Sequence, residues 1–277
     1  MLNPTKESKR FFTLLVILIL SNLVSSKVNA THIIGGNLGY EYLGLDSSTS
    51  GNHRYKVSLD VYLDCNSSGW VGNGGFSFPE RLAQVGIFEG PLNPGGPVFF
   101  SQSLNLVLTD SNRVQGNLPT TCNPLNLISG LCVYLIHYEE TVSLPASNTG
   151  YWIINDRCCR PEGILNLNSS NATPNTFTTW VPAQNGALIS NSSPQFTDTL
   201  VTYICLGDTA FISNAAIDPD GDSLVYSLET PYAGRTNTFT PATTYNSFLL
   251  NPYDVPPNLV TYAGGYDLVN LLGPTGY

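Results

Sequence analysis

Tyr55-Lys56-Val57-Ser58-Leu59-Asp60-Val61-Tyr62-Leu63 is the stretch on which the fold turns. Tyr55, Val57, Leu59, Val61 and Leu63 alternate with Lys56, Ser58, Asp60 and Tyr62. Successive side chains of a strand point to opposite faces, so the first set reads as a buried face and the second as a surface one. Cys65 keeps the parity of the inward set, which aims its sulfur at the core. The same strand character recurs at Leu38–Leu43, Gln84–Glu89, Val98–Leu108, Cys132–Val142, Tyr151–Asp156, Thr176–Val181, Leu200–Cys205 and Ser223–Leu228. Turn signals lie between them: Asn73-Gly74-Gly75, Asn93-Pro94-Gly95-Gly96-Pro97, Asn148-Thr149-Gly150 and Asn185-Gly186. No stretch carries a 3.6-residue apolar stripe with caps. Short strands punctuated in this way predict an all-β chain, a β-sandwich of the Ig-like type.

The first thirty residues read as an export signal. Lys6, Lys9 and Arg10 precede the apolar run from Phe11 to Leu20, and Val28-Asn29-Ala30 offers a cleavage site. The run is about half the roughly 20 residues a membrane-spanning helix requires. Cleavage after Ala30, read in preference to an uncleaved anchor, would start the mature chain at Thr31 and leave no segment to insert in a membrane. It removes four of the 11 basic residues and one of the 20 acidic ones, moving the net charge from −9 to −12. So acidic a surface argues against nucleic acid as a partner, because phosphate binding needs clustered Lys or Arg.

Export also decides the cysteines. Cys65, Cys122, Cys132, Cys158, Cys159 and Cys205 all follow the signal, and an even number in an exported chain points to disulfides. With three histidines and no C-x-x-C pair, a zinc site is not expected. A Cys122–Cys132 bridge would close a short loop, worth about 2–3 kcal/mol by loop entropy. The adjacent Cys158 and Cys159 point to opposite faces of a strand, so one is expected to join Cys65 and the other Cys205. Six cysteines allow fifteen connectivities, and the choice among them stays open.

A polar stretch ending in proline, Asn191-Ser192-Ser193-Pro194, marks a linker. It divides the chain into a module over 31–190 and a second over 191–277 that is expected to be incomplete. Just beyond it, Asp218-Pro219-Asp220-Gly221-Asp222 sets three carboxylates at alternate positions. With Glu229 these form a candidate Ca2+ loop, since calcium takes six to eight oxygens from carboxylates and carbonyls. The glycine falls outside the EF-hand position, and a strand sequence follows instead of a helix. The alternative is a turn whose Asp side chains accept from its own backbone.

Several blocks resemble a group of Bacteroidetes surface proteins, large secreted chains that often end in a gliding-motility-associated sorting domain. They are Thr31-His32-Ile33-Ile34-Gly35-Gly36, Tyr40-Glu41-Tyr42-Leu43-Gly44, Tyr55–Leu59 with Tyr62-Leu63-Asp64-Cys65-Asn66, and Arg157-Cys158-Cys159-Arg160 followed by Ile164-Leu165-Asn166-Leu167. The second module, through Asp218–Tyr226, resembles cadherin-like and PKD-like Ig-fold repeats. The resemblance implies an extended stalk exported by the type IX route to the extracellular face of the outer membrane.

Three functions are weighed. A non-enzymatic adhesin or structural stalk, with surface glycans or other cell-surface proteins as partners, fits export, β architecture and the lack of a convergent catalytic set. A carbohydrate-binding module is the alternative, with Trp70 in the Asn66–Gly75 loop as its ligand-stacking residue and Trp152 and Trp180 assigned to the core. A secreted metalloenzyme would use His32 near the mature N-terminus, but that needs cleavage after Thr31. The chain holds no G-x-S-x-G and no H-E-x-x-H. Glu139 and Glu140 are neighbours on one strand and face opposite ways, so they form no acid/base pair.

Overall fold

The computed structural model describes residues 33–64, 71–72, 75–76, 81–92, 97–114, 133–157, 160–184, 190–197, 213–234 and 255–271. The signal segment, all six cysteines, His32, Trp70 and the Leu200–Cys205 strand lie outside them. The strands are β1 (Ile33–Leu45), β2 (Asn52–Asp64), β3 (Val71–Gly72), β4 (Gly75–Phe76), β5 (Leu82–Glu89), β6 (Phe99–Val114), β7 (Val133–Pro145), β8 (Tyr151–Arg157), β9 (Asn175–Val181), β10 (Gln195–Phe196) and β11 (Ala216–Ile217). Among the described residues there is no α-helix, only a short 3-10 turn at Ser170–Ala172. The chain is all-β, as the alternation predicts, and of the sandwich class.

Seven strands form one antiparallel sheet in the order β1-β2-β7-β6-β5-β8-β9. The sheet curls until its two outer strands meet. The Asn175 side-chain amide donates to the Ile33 carbonyl at 3.1 Å, joining β9 to β1. Gly36 is required at this seam: a Cβ there would stand 2.5 Å from the Asp60 carbonyl oxygen and 2.8 Å from the Phe177 ring. The curl wraps one face around a continuous core. Val57, Leu59, Val85, Ile87, Leu106, Ile136, Leu144 and Ile153 are almost wholly removed from water. Each such side chain stabilises by about 1.5–3 kcal/mol relative to exposure. Tyr55 sits among them, edge-on to Tyr40 with ring centroids 5.8 Å apart. Phe88, Trp152 and Ile154 make a smaller cluster, against which Trp180 packs. The two indoles donate to the Pro91 and Gly90 carbonyls; Trp152 is buried as expected, while Trp180 is only partly buried.

The β1–β2 turn is fixed by Asp46. Its carboxylate accepts from the hydroxyls of Ser143 and Ser48. These bonds, that of Ser143 first, draw its pKa down to about 2.

Three strands depart from the sequence expectation. β1 begins at Ile33, ahead of Leu38, because Gly35 and Gly36 extend the ladder where glycines would ordinarily end it. β6 runs on past Leu108 to Val114 through a bulge between Leu108 and Asp110. There the polar Asp110-Ser111-Asn112 run is steadied by Asp110, which accepts from the Ser111 N–H and the Asn112 amide. Ser223–Leu228, expected as a strand, has no regular structure and joins no sheet among the described residues. Val225 is 93% exposed there, and Tyr226 and Leu228 are exposed too.

Among the described residues after 190, Ser193 bonds to β1, and the Thr261 and Tyr262 carbonyls accept from Asn168. β10 pairs with β11, and isolated bridges join Tyr232 to Leu259 and Leu167 to Tyr262. Gly36→Ala is expected to cost about 1–3 kcal/mol in chemical denaturation, because the seam must open to admit a methyl group. Gly35→Ala, which meets no atom within 4 Å, should leave the midpoint close to wild type.

Candidate functional site

The outward residues of β1, β2 and β7 form the floor of a groove of about 350 Å³. Register builds it. Lys56 lies opposite Glu41 on β1, while Ser58 and Asp60 lie opposite Glu139 and His137 on β7. The Lys56 ammonium is 2.7 Å from the Glu41 carboxylate. The imidazole of His137 bridges two carboxylates, with Nδ1 2.6 Å from Asp60 and Nε2 3.5 Å from Glu139. One side of the groove is walled by Ser193–Thr197, which includes β10.

That wall is bound to the free edge of β1. Ser193 donates its backbone N–H to the Tyr40 carbonyl at 2.9 Å, and its hydroxyl accepts from the Tyr40 N–H at 2.8 Å. The Ser192 hydroxyl accepts from the Tyr42 N–H, and the Asn191 amide donates to the Tyr40 phenol. A serine pair therefore takes the place of an eighth strand at an edge that would otherwise expose unpaired backbone groups. Burial pushes the Tyr40 phenol up to about 12, with the nearby Asp220 and Asp218 charges adding to it, so it stays protonated.

The Asp60–His137 contact through Nδ1 is the geometry by which a carboxylate orients a catalytic imidazole. Nε2 faces a second carboxylate where a nucleophile's hydroxyl would have to stand. The hydrogen bond to Asp60 chiefly, with Glu139 assisting, raises the His137 pKa against the opposing effect of burial. These contacts favour the protonated ring, the form that cannot accept a proton.

The predicted calcium residues occupy a turn beside this wall. Asp218 Oδ1 accepts from the backbone N–H groups of Asp220 and Asp222 at 2.9 and 3.2 Å. Gly221, at φ +84°, closes the bend. Asp220 reaches away from its own turn, its Oδ2 accepting from the Ser192 N–H at 2.5 Å. Asp222 and Glu229 are exposed. Among the described residues no three His, Cys, Asp or Glu side chains converge to hold a metal ion. Asp218 and Asp220 thus accept from backbone N–H groups, Asp218 within its own turn and Asp220 from Ser192.

Parity along the strand separates Glu139 from Glu140, and the structure agrees: Glu140 lies opposite the buried Val57. Sequence reasoning does not find His137, Asp60, Lys56 and Glu41 as a group. Their polar alternation is visible, but only register shows which of them meet. Comparison with models of known protein families, with curated proteins and with solved structures finds no match for this chain.

In an NMR titration the His137 ring should give a pKa above 6.5, and Asp60→Asn should bring it down. A raised folded pKa contributes stability that is complete below the unfolded value and lost as pH rises through the folded one. The unfolding midpoint should therefore fall on the alkaline side of 6.5 in wild type, and that part of the fall should vanish in His137→Gln.

Proposed function

We propose that this chain is a non-enzymatic adhesin or structural stalk module, exported to the extracellular face of a bacterial outer membrane and contacting surface glycans or other cell-surface proteins. The observation that carries this reading is the docking of Asn191–Ser193 along the edge of β1. A stalk must pass load from one segment to the next. Here the joint is a ladder of backbone and serine hydrogen bonds, locked from the far side by Asp220. The backbone bonds use Asp218 Oδ1 and Asp220 Oδ2, so a calcium ion taken by the second oxygen of each, with Asp222 and Glu229, would add to the joint without displacing them. The hydrogen bonds hold the joint, and calcium would stiffen it further.

The groove beside the joint is the contact face. Its charges are paired with one another, its imidazole is flanked by carboxylates, and Phe196 is partly exposed at its wall. Hydroxyl, amide and carboxylate groups beside an aromatic ring are the chemistry that recognises a polyol, which favours glycans among the partners.

Ser193→Ala leaves the Tyr40 N–H without its acceptor and should cost about 1–3 kcal/mol in chemical denaturation. For the functional reading, beads coated with the purified chain should be retained under flow on glycan-coated or bacterial surfaces. Retention should drop when Phe196→Ala and Glu41→Gln are combined. Turnover of a polysaccharide or peptide substrate, abolished by His137→Gln, would instead make the groove an active site and end the adhesin reading.

A further inference from the structure

The strip 191–197 takes part in two structures at once. Its first three residues are fastened to the edge of β1. Ser193 exchanges backbone and hydroxyl bonds with Tyr40, the Ser192 hydroxyl accepts from the Tyr42 N–H at 3.2 Å, and Asn191 donates to the Tyr40 phenol at 2.9 Å. Both serines are buried there. The fit is close, since a Cβ on Gly39 would stand 2.8 Å from the Ser193 Oγ. Residues 193–197 then form the wall of the groove, across a floor that includes Glu41, Lys56, Asp60, His137 and Glu139. Ser193 belongs to both sets. The far end of the strip is tied onward. Thr197 donates its backbone N–H and its hydroxyl to the Ala215 carbonyl at 3.0 and 3.1 Å, extending the β10–β11 pair. The Tyr226 phenol accepts from the Ala216 N–H, and Asp220 accepts from the Ser192 N–H. Through this strip the segment around 215–226 is joined to β1.

The wall stands only while the strip is docked. Lifting 191–193 from β1 carries 193–197 away from the floor and leaves the floor charges on an open sheet face. A ligand that touches floor and wall binds the docked state and has nothing to bridge in the released one. Two equilibria related in this way favour one another by the same factor. We propose that 191–197 is a strap coupling the groove to the joint: occupancy of the groove tightens the strap on β1, and release of the strap dismantles the groove. The inference rests on the reading of the groove as the contact face and names how that site is regulated. Attachment thereby strengthens the joint that must carry the resulting load.

Hydrogen exchange of the Tyr40 and Tyr42 amides reads strap docking, because both donate to its serine hydroxyls. It is measured on the full chain with and without cellohexaose, a neutral polyol probe. At about ten times the probe's dissociation constant both amides should exchange about tenfold more slowly. The Ser48 amide, held in its own turn by Asp46, should not change. A second arm requires no ligand. Asn191→Ala, Ser192→Ala and Asp220→Ala together remove three anchors, none of which lines the groove. Tyr40 exchange should quicken by about a hundredfold. Water reaching the imidazole should carry the His137 pKa further up, since burial opposes its rise and the carboxylates acting on it, Asp60 and Glu139, are untouched. Retention of beads on the glycan-coated surface should fall although every groove side chain is intact. Quickened Tyr40 exchange with His137 and retention unmoved would overturn the coupling and leave the adhesin reading standing. Bound cellohexaose that leaves Tyr40 exchange unaltered would overturn it too, as would Tyr40 exchange occurring only together with that of the β2–β7 ladder. Wild-type beads that are not retained at all count against the adhesin reading, and the His137 shift then decides the coupling by itself.

Discussion

The pairing of β2 with β7 is the constraint on which the rest of the molecule depends. Thirteen residues of each strand, Asn52–Asp64 and Val133–Pro145, lie in unbroken antiparallel register. On the inner face this sets Leu59 opposite Tyr138 and Val61 opposite Ile136; on the outer face it sets Asp60 opposite His137. A slip of one residue would send every core side chain outward and draw the charges in. The core, with many side chains fully removed from water, decides the register. The ion pairs ride on it, because partly exposed pairs contribute only about 0–1 kcal/mol each. Their significance lies in what the outer face presents.

Closure follows from the same economy of edges. A seven-stranded sheet has two, and the molecule treats them in different ways. β9 and β1 are brought together at the seam through Asn175 and the bare Cα of Gly36, while the outer side of β1 near Tyr40 is covered by the serine pair. Ser192 and Ser193 suit that task because a hydroxyl can accept from one backbone group and donate to another within a single residue.

Much of this is legible in the sequence where one residue's neighbours on its own strand carry the information. Tyr55–Leu63 announces a half-buried strand because a single strand's alternation requires no knowledge of its partner. Gly36 reads as a break until the Phe177 ring across the seam and the Asp60 carbonyl on the paired β2 show why no side chain fits. Leu224, Tyr226 and Leu228 alternate as well as many true strands do. Periodicity states that a segment is fit to pair, not that a partner stands beside it, and Val225 is almost fully in solvent. The site divides in the same way. Composition finds Asp218, Asp220 and Asp222, but it gives oxygen atoms and not the direction in which they point; two of the three turn toward backbone N–H groups. His137 escapes a reading of the sequence because its meaning comes from Asp60, 77 positions earlier in the chain.

The period-two division between faces has a consequence for descent. Glu41, Lys56, Ser58, Asp60, His137 and Glu139 alternate with Tyr40, Tyr55, Val57, Leu59, Ile136 and Tyr138 on the same three strands. Selection acting on what the surface meets can rewrite the first set codon by codon while the second is held still. The outer positions of these strands can therefore be rewritten without disturbing the core, and the inner ones cannot.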